Sequence, residues 1–347
     1  KTGLKTLPVD MVDKLKTYDK KSDLARITGI DDGEEETVLD LTVKKGMNQG
    51  VFGNIDLSAG TENRYMERAM INYFRDHTQV SLIAGANNVN DQGFSGGGGG
   101  PRWRRNNGLT ATKELGLNFA TESSKLDLGG SVRYNYRGND AISTGYAEDS
   151  LTGSSSFSNS NSASSSTNNN FYADFRMEWK PDSLTNIIFR PNLSYGKTNS
   201  FGNSVSATFN SDPFAVVVNP NDYLTKLSQI DLLAADDEGN SKDEALRRLE
   251  AISVNASENL SSSDGNSLST NASLQINRKF GSKGRNLTLR LTGGYSDSES
   301  DQYSSVNTRY FAEGKENNII RRYINMPTTN WNYAARLTYS EPIAKAT

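Results

Sequence analysis

The chain has 347 residues, 34% of them hydrophobic, and a mean hydropathy of -0.66. No apolar run approaches the roughly 18 residues of a transmembrane helix, whereas a membrane barrel, apolar only at every second strand residue, passes unseen by that test. With 38 basic and 41 acidic residues, no cysteine and the single histidine His77, the sequence gives no general pull toward nucleic acid, no thiolate metal site and no Ser/His/Asp variety; an enzyme is not expected, and no catalytic residue, metal ligand or cofactor is nominated.

Residues 1–49 carry mixed charge, the acidic run "DDGEEE" and two strand patterns, "DKLKTYD" and "TVLDLTV". They read as a small globular piece ahead of a larger domain over 50–347. Asp31 and Asp32 lack the spacing of a calcium loop and read as a solvated turn.

From Gly50 onward a period of two dominates. In "GVFGNIDLSAG", Val51, Gly53, Ile55, Leu57 and Ala59 alternate with Asn54, Asp56 and Ser58. The pattern returns in "RYMERAMINYF", "TQVSLIAGAN", "TKELGLNFA", "KLDLGGSVRYNY" and "NFYADFRMEWK", then in "NIIFRPNLSY", "TNASLQINRKF", "NLTLRLTGGY" and "NWNYAARLTY", which makes about ten strands. In "NFYADFRMEWK", Phe171, Ala173, Phe175, Met177 and Trp179 share one face, and Tyr172, Asp174, Arg176, Glu178 and Lys180 the other. A soluble sheet buries the apolar face, and a membrane barrel turns it to lipid around a wet lumen; the alternation alone does not choose.

The connections do. "RDHT", "ATESS", "KPDSLT" and "GSKGR" are short, and between them lie long segments over 87–108, 138–169, 196–270 and 296–330. Only "GTENR" breaks the rule. Short turns at one end and long loops at the other are the layout of an outer-membrane barrel, where a sandwich would mix them. Tyr73, Phe119, Tyr134, Trp179, Tyr195, Trp331 and Tyr339 fall on apolar faces near strand ends, as interface girdles do, although aromatics favour strands in any case.

Within the loops, "SSSFSNSNSASSSTNNN" has the composition of a disordered, solvated segment. "NDYLTKLSQIDLLAAD" and "SKDEALRRLEAI" carry helical spacing, with Leu224, Leu227 and Ile230 on one stripe and Leu246, Leu249 and Ile252 on the other, and Ser241 with Glu244 matches a capping box. Such helices would form a lid over the external mouth, a docking surface, or a loop packed on itself.

The stretch from "YDKKSDLARITGIDDGEEETVLDLTVKKGMNQGVFGNIDLSAGTENRYMERAMINYF" through "SLIAGANNVNDQGFS" resembles the plug-to-barrel junction of Bacteroidetes outer-membrane proteins of the TonB-dependent receptor type, most closely over about residues 8–95. The "KKG" at Lys44, Lys45 and Gly46 ends the plug strand in that family, and "TGIDDG", Thr28 to Gly33, marks one branch. The resemblance implies an all-β fold: an antiparallel transmembrane barrel, seen in part, preceded by the end of an N-terminal plug. It further implies a bacterial outer-membrane location with long loops extracellular and plug and short turns periplasmic. The implied function is import of a nutrient through the plugged barrel, with lipopolysaccharide and other outer-membrane lipids, TonB and a surface lipoprotein as partners. The alternative is a non-transporting barrel subunit of an outer-membrane assembly, secretion or surface complex. No TonB box is visible, most of a plug is missing before Lys1, and further strands are expected beyond "EPIAKAT", because ten strands do not readily close around a plug.

Under this reading Glu114, Asp127, Arg133, Asp174, Arg176, Glu178, Arg190, Arg290 and Arg336 face the lumen, either as a polar pathway and plug contacts or as wall-stiffening ion pairs. "GGGGGPRWRR" places Arg102, Trp103, Arg104 and Arg105 in an external loop, where arginine forks suit lipid phosphates or a ligand; no "GKS" or "GKT" follows to make a nucleotide loop.

Overall fold

The period-two segments become antiparallel strands. The structure, a computed structural model, describes residues 12–22, 25–26, 33, 35–44, 49–91, 108–151, 154–229, 243–281 and 285–341. In it β1 (Val12–Lys21) and β2 (Glu35–Val43) form a two-stranded sheet of their own, with Leu15, Tyr18 and Leu39 exposed. An eleven-stranded sheet contains all the rest. Its strands are β3 (Gln49–Ala59), β4 (Tyr65–Arg75), β5 (Thr78–Asn87), β6 (Leu109–Glu122), β7 (Leu126–Leu151), β8 (Ser154–Asp182), β9 (Thr185–Phe209), β10 (Ser253–Lys279), β11 (Asn286–Tyr310), β12 (Asn318–Asn325) and β13 (Thr328–Ser340). Each strand from β3 to β12 lies beside its predecessor, as short antiparallel connections dictate.

β12 and β13 both run along β11 in one unbroken register, so the sheet is ten strands wide. At their junction Met326 N donates to Ser300 O at 2.9 Å and Ser300 N donates to Met326 O at 3.3 Å. By the alternation of an antiparallel ladder, the next residue, Pro327, turns its nitrogen toward the open edge, where the missing N–H removes no bond to β11. Among the described residues the two edges, β3 and β12–β13, do not pair with each other, so they form an open sheet and not a closed barrel.

The segregation of connections by length holds only in part, because 60–64, 152–153 and 311–317 are short connections at the end expected to carry long loops. Residues 76–77, 123–125, 183–184 and 280–285 turn the chain at one end, and 60–64, 88–108, 152–153, 210–252 and 311–317 at the other. Asp76 takes the positive φ of 51° that a two-residue hairpin turn uses.

The connecting loops are shorter than the sequence suggests. The Ser/Asn segment over 138–169 is not a disordered loop: it is the continuation of β7 and β8, paired residue by residue from Gly138–Thr167 to Leu151–Ser154. β9 and β10 consume the ends of the 196–270 segment, and β11, β12 and β13 most of 296–330. Backbone ladders supply the stability that the composition does not advertise. Polar cross-strand pairs add to it, among them Ser143 with Ser162 at 2.7 Å and Thr198 Oγ1 donating to Asn168 Oδ1 at 2.9 Å. Residues 92–107, with Arg102, Trp103, Arg104 and Arg105, lie outside the described residues.

The registers bring the apolar residues into rows. One row runs Ile71, Leu82, Leu117, Val132, Ala173, Leu193, Thr270, Tyr295 and Trp331 across nine strands. Nothing among the described residues covers it: Ile71 is 42% exposed, Leu117 41% and Trp331 75%. The opposite face is the sheltered one. Met70, Asn72, Ser81, Glu178, Asn277 and Thr288, all on it, are buried, and two pairs of them bond to each other: Ser81 Oγ donates to Asn72 Oδ1 at 2.6 Å, and Asn277 Nδ2 donates to Thr288 Oγ1 at 2.7 Å.

The apolar-side surface is covered in one place only among the described residues, on the extended ends of β8–β10. There Val205, Ala207, Phe209 and Ala256 meet α1 (Leu224–Ser228) and α2 (Glu244–Ile252) through Leu224, Leu227, Leu246 and Leu249 in a fully buried cluster. These strand residues have the parity of Leu193, Tyr195, Leu268 and Thr270, so the helices lie against the wall on its apolar side and do not span a mouth. The N-cap of α2 is Asp243, which accepts from Ala245 N at 3.1 Å, in place of the Ser241 expected; Ile230 and Ser241 lie outside the described residues.

Candidate functional site

Strand alternation puts the nominated ionisable residues on the sheltered polar face. One row of the ladder runs Asp127, Glu178, Ile188, Gln275, Arg290 and Arg336 from β7 to β13. Arg176 and Arg190 lie between the pairs Asp174–Asn192 and Met177–Phe189, on the same face. Beyond them a row of amides follows: Ser131, Asp174, Asn192, Asn271, Gly294 and Asn332. A Cβ at Gly294 would come within 2.4 Å of Asn271 Oδ1 and 2.6 Å of Asn332 Oδ1, so the two amides would have to shift to admit a side chain there. Asp174 accepts the Ser131 hydroxyl.

Glu178 is the hub. Only 3% of its side chain is exposed, and it takes Arg176 Nη2 at 2.7 Å, Lys180 Nζ at 3.4 Å and Asn186 Nδ2 at 2.8 Å from its own and the adjoining strand. Arg26, far back in the chain beside the β1–β2 sheet, donates from Nη2 to both carboxylate oxygens at 2.8 Å. Lys180 is shared with Asp127 at 3.1 Å. A buried carboxylate without such partners would cost several kcal/mol, roughly, so the cations are a condition of its being there.

Arg133, opposite Gly116 and Tyr172, and Glu114, opposite Gly85 and Asn135, lie on the same face but away from Glu178. Glu114 borders a second cavity, of about 300 Å³, with Asp91, Asn135, Arg137, Asn170 and Tyr172. Asp91 is held there by an ion pair with Arg68. The structure therefore separates the nominated residues into a basic lower group around Glu178 and a mixed upper group around Glu114. Arg190, Arg290 and Arg336 extend the lower group sideways.

Sequence reasoning misses Arg26, Asn186, Arg137 and the Arg68–Asp91 pair. Lys180 carries a usable signal, since it shares the alternation of Arg176 and Glu178; Arg26 carries none. Positioned in this way, the groups can bind and steer charged or hydrogen-bonding solutes.

No protein-family model matches the sequence, and comparison with curated proteins finds no match.

Proposed function

We propose that the chain is part of an outer-membrane transporter of the TonB-dependent receptor kind, in which the apolar face meets lipid, the polar face lines the lumen, and residues 12–44 end a plug. The observation that carries this reading is the inverted exposure of the central strands: Leu82 and Leu117 are 40% and 41% exposed, while Glu178 and Asn277 on the other face are 3% and 1% exposed. In water such an arrangement is costly at about 25 cal/mol per Å² of apolar surface; in lipid it is the stable one. The Arg26–Glu178 pair supports a plug seated against the wall, and the rows of arginine and amide side chains support a lumen that passes polar solutes.

The second reading, an accessory subunit of a surface complex, is favoured by the loop on the apolar side, where Val218 is 96% exposed and Phe214 46%. To separate them, the full-length protein is tagged in its native cells and purified from outer membranes in mild detergent. Recovery of TonB or a substrate-binding surface lipoprotein supports import. Stoichiometric recovery of assembly or secretion machinery overturns it in favour of the accessory role, and a protein found free of the membrane fraction overturns both.

A further inference from the structure

At the short-turn end of the sheet, two turns and a strand end enclose a cavity of about 610 Å³. Its frame is fixed by backbone bonds between neighbouring connections: Lys180 N donates to Lys125 O at 2.7 Å, and Lys279 N donates to Leu184 O at 2.8 Å. Arg26, Lys125, Lys180 and Lys279 all line it, and among the described residues Asp182 is the sole carboxylate that does so.

The nearby carboxylates are already engaged. Glu178 is saturated by Arg26, Arg176, Lys180 and Asn186, and Asp127 holds Lys180. Asp182 caps its own turn, accepting from Leu184 N at 2.8 Å and Thr185 Oγ1 at 3.0 Å, and pairs with Arg278 at 2.9 Å. Of the four cations, Arg26 and Lys180 are thus engaged by Glu178 and Asp127, and Lys125 and Lys279 are the two left without a carboxylate among the described residues.

We propose that this cavity binds a phosphate-type oxyanion. Lys125 and Lys279, lining one cavity with Arg26 and Ser183, offer donors from separate turns, which suit a tetrahedral anion that accepts in several directions better than a planar carboxylate. The phosphate belongs either to a small soluble ester or to a lipid headgroup at the rim of the sheet. The site shares Arg26, Lys180 and Asn186 with the Glu178 cluster, but it does not require that the chain transports anything.

The test uses the full chain purified in a non-ionic, phosphate-free detergent buffer, titrated calorimetrically with glycerol 3-phosphate, with total phosphorus measured in the purified protein. Saturable binding is expected, weakened about a hundredfold by K125Q/K279Q, at about tenfold for each charge-assisted hydrogen bond removed, and retained by K125R/K279R. Both lysines are exposed, and the strand signal in circular dichroism confirms that each variant is folded. Phospholipid carried by the wild type and absent from K125Q/K279Q supports the site and identifies a lipid headgroup. Ester binding with no retained phospholipid supports it and identifies a soluble ester. Absence of both, or equal binding by wild type and K125Q/K279Q, overturns the proposal.

Discussion

Arg26 and Glu178 are 152 positions apart, yet one guanidinium nitrogen of Arg26 reaches both carboxylate oxygens of Glu178 at 2.8 Å. The two sides of this pair are not equivalent. Glu178 is buried and holds Arg26, Arg176 and Lys180, whereas the Arg26 side chain is 37% exposed. E178Q therefore takes the common carboxylate from three cations that are each about a third exposed and is expected to cost about 2–3 kcal/mol. R26Q leaves Glu178 still paired and costs about 1 kcal/mol or less. Denaturant unfolding in detergent checks the order. Equal effects would mean that Glu178 gains nothing from Arg176 and Lys180.

Leu117 and Val132 face each other in the middle of the uncovered apolar row, 41% and 39% exposed. If that row meets lipid, L117R or V132R costs about 2–4 kcal/mol and lowers the yield of folded protein in vesicles. The same substitution at Ser131, on the opposite face, costs much less. On a soluble sheet all three arginines would be tolerated nearly alike, since the apolar residues are already in water. Folding yield into lipid vesicles, read by gel mobility before and after heating, distinguishes the two cases.

What can be read from the sequence follows from what alternation encodes. β5 is legible from Thr78 to Asn87 because a strand's own side chains carry its period, and the clean polar face of "NFYADFRMEWK" places Asp174, Arg176 and Glu178 together. Alternation does not encode partners. Arg26 cannot be assigned to Glu178, because nothing near Arg26 marks a target on another element. The Ser/Asn segment misleads because its composition describes an isolated chain, whereas Asn159 and Asn161 are fixed by Asn221 of the neighbouring loop, and the backbone of β8 by β7 and β9. At Ile187 and Ile188 two adjacent apolar residues obscure the period; the register puts Ile188 between Glu178 and Gln275, inside the polar row.

The loop helices are held by apolar packing, so they should be separable from the sheet. Leu227 and Leu249 are fully buried in the cluster with Val205, Ala207 and Phe209. L227A and L249A each remove about 2–4 kcal/mol from docking of the loop, and the double variant undocks it. The ten-strand ladder does not depend on this packing. Protease should therefore cleave the double variant between 210 and 252 while strand circular dichroism stays at the wild-type level. Loss of the strand signal together with cleavage would show that the loop is part of the sheet's own stability.

Asp243 makes the same docking sensitive to acid. Burial of its carboxyl opposes ionisation, but the hydrogen bond from Lys226 Nζ at 3.4 Å, the backbone donors of the first turn of α2 and the Lys226 charge outweigh it and hold Asp243 below its ordinary value of 3.8. A carboxylate with a lowered folded-state value stabilises the fold when ionised. That contribution is complete above the unfolded value and is lost as pH falls through the folded one. Hydrogen exchange of the α2 amides, corrected for the intrinsic rate, should therefore be flat from neutral pH to about 5 and accelerate below about 4. D243N should exchange faster at neutral pH and lose most of the acid dependence, because asparagine still caps the helix but offers Lys226 no charge. An acid response that survives undiminished in D243N would show that Asp243 is not its source.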